Sequence, residues 1–309
     1  MKTNNILLSS QSVPSSLDYF TVLKTLGQGS SAKVKLVEDQ HTGSMYAAKL
    51  LLMNPKISPF YYRSKIATEV KCLSHLAPHP NIISLSNYEK SGSYTSKSKG
   101  YQRCMYTLLE YCPHGDLFKL LKNNGPLPKS LTNYFFHQIT EALEHCHQRG
   151  IAHGDLKPEN LLIDKNFEIK LTDFELAHFD KNSKYLGTEG YLPPEARAKK
   201  VINSEKADFF VLGLILFIMY VGSPPFVKSS DDDALYSLFK NSKEDYWAFM
   251  EKRRPNIDFT EEFREIVEGL LSHDPAKRWA CQEIKSSKWY TQEAFSEEGL
   301  AYLKSILCQ

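Results

Sequence analysis

The stretch HGDLKPENLLIDKNFEIKLTDFELA, residues 153–177, constrains the fold more than any other part of the sequence. Within it, the apolar runs LLI at 161–163 and IKL at 169–171 are joined by DKNFE, a pattern that predicts a β-hairpin. A hairpin brings its two open ends together. Asn160, just before the first strand, and Asp173, shortly after the second, should therefore lie side by side.

These flanking residues have the chemistry of a magnesium and phosphate site. An Asn carbonyl and an Asp carboxylate are hard oxygen ligands that suit magnesium shared with phosphate oxygens. Asp155 lies on the same loop and could accept the proton of a substrate hydroxyl, while Lys157 could neutralise a transferring phosphoryl group. Taken singly, each would fit a solvated loop residue that caps a hairpin. The joint spacing favours the catalytic interpretation.

Length and composition narrow the class of protein. At 309 residues the chain is too long for one small core. The formal charge of +2, from 38 basic and 36 acidic residues, gives no reason to expect a nucleic-acid partner. The six cysteines form no CxxC pair, so neither a zinc site nor a disulfide framework is indicated. Reduced thiols predict a cytoplasmic or nuclear setting.

No membrane anchor is expected. Residues 1–17 are polar, Ser-rich and predicted to be disordered, and their short apolar block does not suffice for a signal peptide. The longest apolar run, Phe209 to Gly222, is shorter than the about 20 residues that span a bilayer. It predicts a helix buried on all sides within a large domain.

The order of elements divides the chain into a small sheet and a helical region. Alternating apolar and polar residues predict strands at 19–26, 32–40, 44–52, 81–89 and 105–111, and helical spacing predicts an amphipathic helix over 61–77. The Ser/Lys/Gly-rich segment 89–101 is predicted to be a mobile loop. A further amphipathic helix is predicted over 130–150, and shorter helices follow to the end.

The HxDxKxxN spacing, followed by a hairpin and Asp-Phe, resembles the eukaryotic protein kinases over roughly residues 18–292. The resemblance implies an α+β fold of two lobes: a small antiparallel sheet lobe with one helix at 18–109, a hinge at 110–115 and a larger, mainly helical lobe at 116–292, before a helical tail at 293–309. It implies ATP and Mg²⁺ as cofactors, Asp155 as the catalytic base, and Asn160 and Asp173 as the metal ligands. Lys157, together with GTEGYLPPE at 187–195, is similar to the serine/threonine branch.

The nucleotide side begins at GQGSSAKV, residues 27–34, where glycines would let backbone N–H groups approach phosphates, although hairpin turns also often carry glycine. Ala32 departs from a third family glycine. Glu69 borders the apolar face of its helix and needs a partner, which could be Lys65 at the surface or Lys49, held in turn against the phosphates. By resemblance, the nucleotide-binding residues are Leu26, Gly27, Gln28, Gly29, Ala32, Val34, Ala47, Lys49, Leu109, Glu110, Cys112, Asp116, Leu162 and Asp173.

The resemblance also implies supporting contacts. Asp208 would bond the backbone of the catalytic loop, and Glu195 and Arg278 would form a buried ion pair, where sequence alone would place Arg278 at the surface. Thr188 would bond the catalytic Asp and Lys.

Two positions depart from the family. Gly154 stands where many kinases have an Arg that pairs with a phosphate on the activation segment, the residues from Asp173 to Glu195, so activity is expected not to require that phosphate. Glu175 stands where the family has glycine. It is expected either to point to solvent or to weaken ATP affinity and disfavour an outward Phe174.

Three functions remain open at this point: an active kinase acting on Ser/Thr hydroxyls of proteins, a pseudokinase acting as a nucleotide-binding or allosteric scaffold, and an unrelated binding protein. Retention of Lys49, Glu69, Asp155, Asn160 and Asp173 favours the first, because pseudokinases typically lose at least one of these. Glu159 and Asp116 predict a moderate preference for Arg or Lys before the target hydroxyl.

Overall fold

The computed structural model describes residues 15–29, 32–96, 98–180, 182–183, 185–198, 201–292 and 297–307. The chain forms two compact units. Unit 1 contains the described residues up to Ala67 together with Leu85–Tyr111, and unit 2 contains Thr68–Ser84 and the described residues from Cys112 onward. Unit 1 is mainly antiparallel sheet and unit 2 is mainly helix, which confirms the predicted α+β class with a small sheet lobe and a larger helical lobe.

Unit 1 is built on a six-stranded antiparallel barrel in the order β1-β2-β3-β4-β6-β5, closed by pairing between β1 and β5. The three strands predicted first and the two predicted later are all present. The strands are β1 Ser16–Leu17, β2 Phe20–Gln28, β3 Lys33–Asp39, β4 Met45–Leu52, β5 Leu85–Ser96 and β6 Gly100–Glu110.

Alternation along these strands sorts their side chains into two sets. One set fills the core of unit 1 and includes Val37, Ala48, Leu50 and Leu108, each no more than 3 % exposed. The registers Leu50↔Tyr106 and Ala48↔Leu108 keep this set on one face from strand to strand. The other set faces away from that core.

The prediction of a mobile loop over 89–101 is wrong. The strand β5 continues to Ser96 and β6 begins at Gly100, with Tyr94 opposite Gln102 across the hairpin. Tyr94 is only 6 % exposed and joins the core of unit 1, so one buried aromatic outweighs the polar composition around it. Gly100, at φ +64°, supplies the left-handed backbone at the turn.

The segment 1–17 is predicted to be disordered. Its residues 1–14 lie outside the described residues, but its last two residues form β1. The next residue, Asp18, holds this strand in place because both of its carboxylate oxygens accept hydrogen bonds. Its Oδ1 accepts hydrogen bonds from the Ser93 N–H at 2.8 Å and the Ser93 hydroxyl at 2.7 Å, and its Oδ2 accepts one from the Tyr106 hydroxyl at 2.8 Å. Prediction of disorder at 16–17 is therefore wrong.

The helix predicted at 61–77 is α1, Pro59–Leu76, and the division between the units falls within it. Ile66 and Leu73 are buried, as the helical spacing predicts. Glu69, on the following turn from Ile66, is also buried, at 2 % exposure.

Unit 2 contains two short strand pairs, β7 with β8 and β9 with β10, among its helices. The strands are β7 Leu161–Ile163, β8 Ile169–Leu171, β9 Asn182–Ser183 and β10 Ile202–Asn203. The helices are α2 Leu117–Asn124, α3 Lys129–Gln148, α4 Pro194–Arg197, α5 Ser204–Val221, α6 Ala234–Asn241, α7 Lys243–Arg253, α8 Glu261–Leu270, α9 Cys281–Ser286, α10 Lys288–Thr291 and α11 Glu297–Leu307.

The helix α5 is the apolar run singled out in the sequence. All its residues are buried except Glu205, Lys206 and Ile218. It begins at the cap Asn203, whose side chain accepts a hydrogen bond from the Lys206 N–H, and ends at Gly222 in the left-handed conformation. No helix among the described residues is long and apolar enough to cross a membrane.

Candidate active site

The β7–β8 hairpin is present with the predicted ends together. Leu161 lies opposite Leu171, and beyond this pair the Thr172 N–H donates to the Asn160 carbonyl at 3.0 Å. Asn160 therefore lies beside the residue that precedes Asp173. The hairpin thus carries both proposed metal ligands at its open end.

Asp155 is held by three hydrogen bonds to its carboxylate. Its Oδ1 accepts from the Thr188 N–H at 2.9 Å and from the Thr188 hydroxyl at 2.7 Å. Its Oδ2 accepts from the Lys157 ammonium at 2.6 Å, and that ammonium also donates to the Thr188 hydroxyl at 2.9 Å. The Asp155 side chain is 10 % exposed, so this carboxylate is held by polar groups with little access to solvent.

The loop that carries Asp155 is shaped by its own polar side chains. The Asn160 amide nitrogen donates to the Asp155 carbonyl at 2.8 Å, across a 3₁₀ turn that Pro158 begins. His153 accepts from the Asp155 N–H through Nδ1 at 3.2 Å and lies 3.0 Å from the Thr172 carbonyl through Nε2. These contacts select the tautomer with its hydrogen on Nε2.

Asp208, on α5, binds the backbone of the loop that carries Asp155. Its fully buried carboxylate accepts hydrogen bonds from the N–H groups of His153 at 2.8 Å and Gly154 at 3.1 Å, and from the His147 ring at 3.0 Å. Burial by itself would raise the pKa of Asp208, but the hydrogen bonds from His147 and His153 hold that pKa below its ordinary value. The predicted bond between Asp208 and the catalytic loop is confirmed.

Gly154 has a local structural reason to be glycine. Its φ is +78°, and a Cβ built on it would lie 2.5 Å from the Leu176 carbonyl oxygen and 3.2 Å from the His178 ring. Both features disfavour a side chain here. The departure from the family Arg therefore accompanies a close approach of the backbone at Leu176.

Asp173 is one of three non-glycine residues with positive φ in the described part of the chain, at +67°. It is followed by a 3₁₀ turn, Phe174–Leu176, in which Phe174 is fully buried with its ring 4.8 Å from the His153 ring. Glu175 lies within this turn, half-buried, and its φ is not positive. Glutamate therefore meets no backbone penalty in this conformation, in which Phe174 points inward.

Asn160 and Asp173 fit a magnesium ion shared with phosphate. The Asn160 nitrogen is committed to the Asp155 carbonyl, which leaves its side-chain oxygen as the ligating atom. Within the described residues, no group of three or more His, Cys, Asp or Glu side chains is arranged to hold a metal ion. An ion bound here would take its remaining ligands from phosphate and water.

Unit 1 places five of the predicted nucleotide-binding residues on one face of its sheet. Directly opposed residues on antiparallel strands share a face. The five residues form a row across the strands, which we call the sheet-face row. Its members are connected by the pairs Gly27↔Val34, Val34↔Lys49 and Ala47↔Leu109, and Ala47 and Lys49 lie two residues apart on β4. This face is opposite to the core set of unit 1.

The glycine-rich turn sits at the end of this row. Gln28 ends β2 and the Gly29 N–H donates to the Ala32 carbonyl at 2.9 Å, while residues 30 and 31 lie outside the described residues. Leu26 lies at a register shift between Thr25 and Gly27. Neither Gly27 nor Gly29 has positive φ, and a Cβ on Gly27 would meet nothing within 4 Å. Internal packing therefore does not account for these glycines.

In unit 2, three predicted nucleotide-binding residues are Cys112 within the predicted hinge, Asp116 just after it and Leu162 on β7. Cys112 is buried, and Asp116 forms an isolated bridge with Leu162 of β7. Asp116 also caps α2 by accepting the Lys119 N–H at 2.8 Å, and its other oxygen lies 2.9 Å from the Lys119 ammonium. A role of Asp116 towards ribose stays a prediction. Glu110 ends β6 in unit 1, opposite Tyr46.

The partner of Glu69 also stays a prediction. Burial of this carboxylate supports the expectation that it has a specific role. The side chain of Lys65, the alternative partner, lies outside the described residues.

The predicted ion pair of unit 2 is confirmed. The Arg278 Nη1 donates to Glu195 Oε1 at 2.6 Å and Nη2 to Oε2 at 2.9 Å, and Arg278 is 1 % exposed. The guanidinium also donates to the carbonyls of Lys206 and Ser272. All of its donors thus act within the protein, which explains why an Arg between a Lys and a Trp is buried.

One contact of the activation segment was missed in the sequence. The Arg197 guanidinium donates to the side chain and carbonyl of Glu189, and its Nε donates to the Ser229 hydroxyl at 3.1 Å. Ser229 in turn donates to the Leu192 carbonyl at 2.5 Å. This network holds the 3₁₀ turn Glu189–Tyr191. No spacing in the sequence connects residues 189, 197 and 229.

Comparison with known proteins agrees with this geometry. A family model described as the protein kinase domain matches residues 20–290. The chain is 32 % identical to CBL-interacting protein kinase 11 of Oryza sativa subsp. japonica, over 88 % of this chain and 51 % of that protein. It is 30 % identical to Aurora/IPL1-related protein kinase 2 of Caenorhabditis briggsae, over 89 % of this chain and 85 % of that protein.

A third relative, serine/threonine protein kinase OSK3 of Oryza sativa subsp. indica, is 31 % identical over 89 % of this chain and 50 % of its own length. The chain spans about half the length of the CBL-interacting relatives that it matches, at 51 % and 56 % of two of them. The family match and the arrangement around Asp155 lead to the same assignment: this chain belongs to the protein kinase domain family.

Proposed function

We propose that the protein is an ATP-dependent kinase that phosphorylates serine and threonine hydroxyls of proteins. The observation that carries this proposal is the fixed triad of Asp155, Lys157 and Thr188. It places a carboxylate, an ammonium and a hydroxyl in mutual contact on unit 2. A scaffold without activity would not need this ammonium so close to the carboxylate.

The proposed reaction transfers the γ-phosphoryl group of ATP. The substrate hydroxyl oxygen forms a bond to the γ-phosphorus, the bond from that phosphorus to the bridging oxygen breaks, and ADP leaves with the electron pair. Asp155 accepts the hydroxyl proton, and Lys157 offsets negative charge on the transferring group. Magnesium, when bound by Asn160 and Asp173, would neutralise charge on the phosphate oxygens.

Each unit by itself carries a set of proposed nucleotide-binding residues. In unit 1 these are the sheet-face row of Gly27, Val34, Ala47, Lys49 and Leu109 with the neighbouring Leu26, Gln28, Gly29, Ala32 and Glu110. In unit 2 they are Cys112, Asp116, Leu162 and Asp173. The open space at Gly27 supports an approach of phosphate to this backbone.

The proposed substrates are proteins with a basic residue before the target hydroxyl. Glu159 is exposed on the catalytic loop. Burial raises the pKa of Tyr191 above its ordinary value, and the charge of nearby Glu159 adds to that shift, so Glu159 and the turn Glu189–Tyr191 are neighbours. Asp116, in contrast, is already paired with Lys119. We therefore expect a preference at one upstream position.

We also propose an intracellular location. The five cysteines among the described residues form no disulfide, and four of them are buried. Buried cysteines in the reduced state are typical of proteins in reducing compartments. Microscopy of the tagged protein in its own cells would test this, and a location in a secretory compartment would contradict it.

The activity is tested with labelled ATP, magnesium and a mixed peptide library. The proposal expects label on Ser/Thr peptides from the wild-type protein and none above background from Asp155→Asn. Nucleotide binding without transfer in the wild type would instead support a pseudokinase. Label on tyrosine peptides alone would contradict the proposed acceptor.

A further inference from the structure

The buried carboxylate of Asp208 holds two segments of unit 2 at once. Its Oδ1 accepts a hydrogen bond from the Gly154 N–H at 3.1 Å, on the catalytic loop. The same oxygen accepts one from the Tyr185 hydroxyl at 3.3 Å, on the activation segment. One oxygen atom therefore links the loop that carries Asp155 to the segment that carries Thr188.

Tyr185 is enclosed as a core residue. It is 7 % exposed and packs in a cluster with Ala196, Ile202 and Ala207. Burial and the nearby Asp208 carboxylate raise the pKa of Tyr185 well above its ordinary value, so the hydroxyl stays a donor. A buried, protonated hydroxyl beside a carboxylate is a charge-assisted hydrogen bond.

The chain between Tyr185 and Thr188 packs closely against the Tyr185 ring and the backbone of Gly154. A Cβ built on Gly187 would lie 2.7 Å from the Tyr185 ring and 3.2 Å from the Gly154 carbonyl oxygen. Gly187 therefore passes through a narrow gap that only a glycine fits without movement. The next residue, Thr188, donates two hydrogen bonds to Asp155.

A strand pair fixes the segment on the other side of Tyr185. β9 and β10 pair with Ser183 opposite Ile202 and Asn182 opposite Asn203, directly before the central helix α5. Ile202 is itself a member of the Tyr185 cluster. The segment is thus anchored to α5 by backbone pairing and by the Tyr185 side chain.

We infer that Tyr185 is a positioning residue for the proposed phosphoryl transfer: its hydroxyl, bound to Asp208, holds Thr188 against Asp155 in an activation segment that carries no phosphate. The inference rests on the proposed function for its kinetic consequence and on the Tyr185–Asp208 contact for its structural one. Gly154 brings no side chain to a phosphate, and Tyr185 supplies the link between the two segments instead.

A purely packing role for Tyr185 predicts something different. The ring would then suffice, and phenylalanine would replace tyrosine without effect on catalysis. A positioning role predicts that loss of the hydroxyl alone lowers kcat, by about tenfold for one buried hydrogen bond to a charged group. The Michaelis constant for ATP should not change, because the hydroxyl acts on Thr188 and Asp155.

The test uses phosphatase-treated wild-type protein, Tyr185→Phe and Tyr220→Phe. Tyr220 is a matched control: it lies on α5, is 8 % exposed, and its hydroxyl donates to the Asp258 carbonyl at 2.9 Å. We expect Tyr185→Phe to lower kcat and to speed hydrogen exchange across residues 185–192, and Tyr220→Phe to do neither. Equal behaviour of Tyr185→Phe and wild type in both measurements would overturn the inference.

A second pair of variants covers the case in which Tyr185→Phe does not fold. Gly187→Ala should displace the Tyr185 ring and speed exchange in the same residues, whereas Gly190→Ala, with nothing within 4 Å of its Cβ, should not. Identical exchange in the two alanine variants would also overturn the inference. Hydrogen exchange does not depend on phosphate transfer. An inactive wild-type protein would therefore contradict the proposed function, while the exchange rates of the variants would still support or overturn the role of Tyr185 in holding the activation segment.

Discussion

Thr188 donates two hydrogen bonds to one oxygen of Asp155, from its N–H at 2.9 Å and its hydroxyl at 2.7 Å. These residues are 33 positions apart in the chain. The second carboxylate oxygen is bound by Lys157. The orientation of Asp155 is thus set by the activation segment as much as by its own loop, and this relationship makes the base sensitive to changes in either.

The first prediction concerns the base itself. Asp155→Asn should lower phosphoryl transfer by about 10²- to 10⁴-fold, because an amide cannot accept the hydroxyl proton. Binding of ATP should be nearly unchanged, because the residue's contacts are with Thr188 and Lys157. Transfer is measured with labelled ATP and binding by calorimetry. Equal loss of binding and transfer would indicate that the substitution disrupts the loop.

The second prediction concerns Gly154, whose φ of +78° and close approach to Leu176 both exclude a side chain. Gly154→Ala should reduce the free energy of unfolding by about 2–4 kcal/mol, from strained backbone plus a forced shift of the Leu176 carbonyl. Urea titration measures this.

Gly115 separates these two contributions. It has the same φ of +78°, but a Cβ there would meet nothing within 4 Å. Gly115→Ala should therefore lose only the backbone part, about 1 kcal/mol. If the two alanine variants are equally destabilised, the Leu176 contact plays no part. For the same reason, Gly154→Arg should not create a dependence on activation-segment phosphate, since the Arg would first disturb the loop.

The third prediction concerns Gly27 and Gly29, which no packing contact or positive φ requires to be glycine. Gly27→Ala and Gly29→Ala should leave the free energy of unfolding within about 0.5 kcal/mol of the wild-type value, as surface substitutions usually do. They should weaken ATP binding by about 10-fold if phosphates approach this backbone closely. Calorimetric titration of ATP with magnesium checks this. Gly43→Ala, in a turn with φ +70° and open space, should show the reverse: lower stability and unchanged binding.

Much of the site could be predicted because its residues lie close together in sequence or belong to a dense motif. The β7–β8 hairpin and its flanking Asn160 and Asp173 follow from one short stretch. The bonds of Asp208 and Thr188 and the pair of Glu195 with Arg278 follow from the family resemblance. These contacts join distant segments, and periodicity alone would not have found them.

The features that could not be predicted depend on single residues or very short segments, which show no periodic pattern of apolar and polar residues. β1 and β9 are two residues long, too short for an alternating pattern. The segment 89–101 predicts a loop because Tyr94 is the one buried aromatic among its polar residues. The contact of Tyr185 with Asp208 could not be predicted either, since nothing in the sequence indicates that these two residues lie side by side.

The fourth prediction concerns the buried pair of Arg278 and Glu195. Arg278→Met should reduce the free energy of unfolding by about 3–5 kcal/mol, because it leaves the Glu195 carboxylate without its buried partner. Lys240→Met, which breaks an exposed pair with Asp231 at 2.8 Å, should lose less than about 1 kcal/mol. Urea titration compares them, and similar losses would mean that the buried pair is worth no more than a surface one.

The last prediction concerns acid stability through His79, whose ring lies against the His145 ring with centroids 4.4 Å apart. Its Nδ1 accepts a hydrogen bond from the Asn81 N–H at 3.1 Å. Asn81 in turn binds β8, through its side chain to the Ile169 carbonyl at 3.1 Å and through its carbonyl to the Leu171 N–H at 2.8 Å. Protonation of His79 would therefore loosen the attachment of β8, the strand that leads to Asp173.

The direction in which pH changes the stability follows from the lowered pKa of His79. Burial, and then the charge of His145, lower the pKa of His79 to about 4; Arg149 and Lys170 act in the same direction, and Glu141 opposes them. In the unfolded chain the pKa is near 6.5, so between about pH 6.5 and 4 the unfolded state binds more protons and the stability from His79 is lost as the pH falls. One pKa unit corresponds to about 1.4 kcal/mol, and screening at a partly exposed ring reduces the total to about 1–2 kcal/mol.

Urea titrations of the wild-type protein and His79→Gln at pH 7, 6 and 5 measure this loss. Glutamine cannot take up a proton in this range but keeps an oxygen that can accept the Asn81 N–H. The difference in free energy of unfolding between the two proteins should therefore shrink as the pH falls, because only the wild type loses this contribution. A constant difference across the three pH values would show that His79 does not titrate differently in the folded and unfolded states.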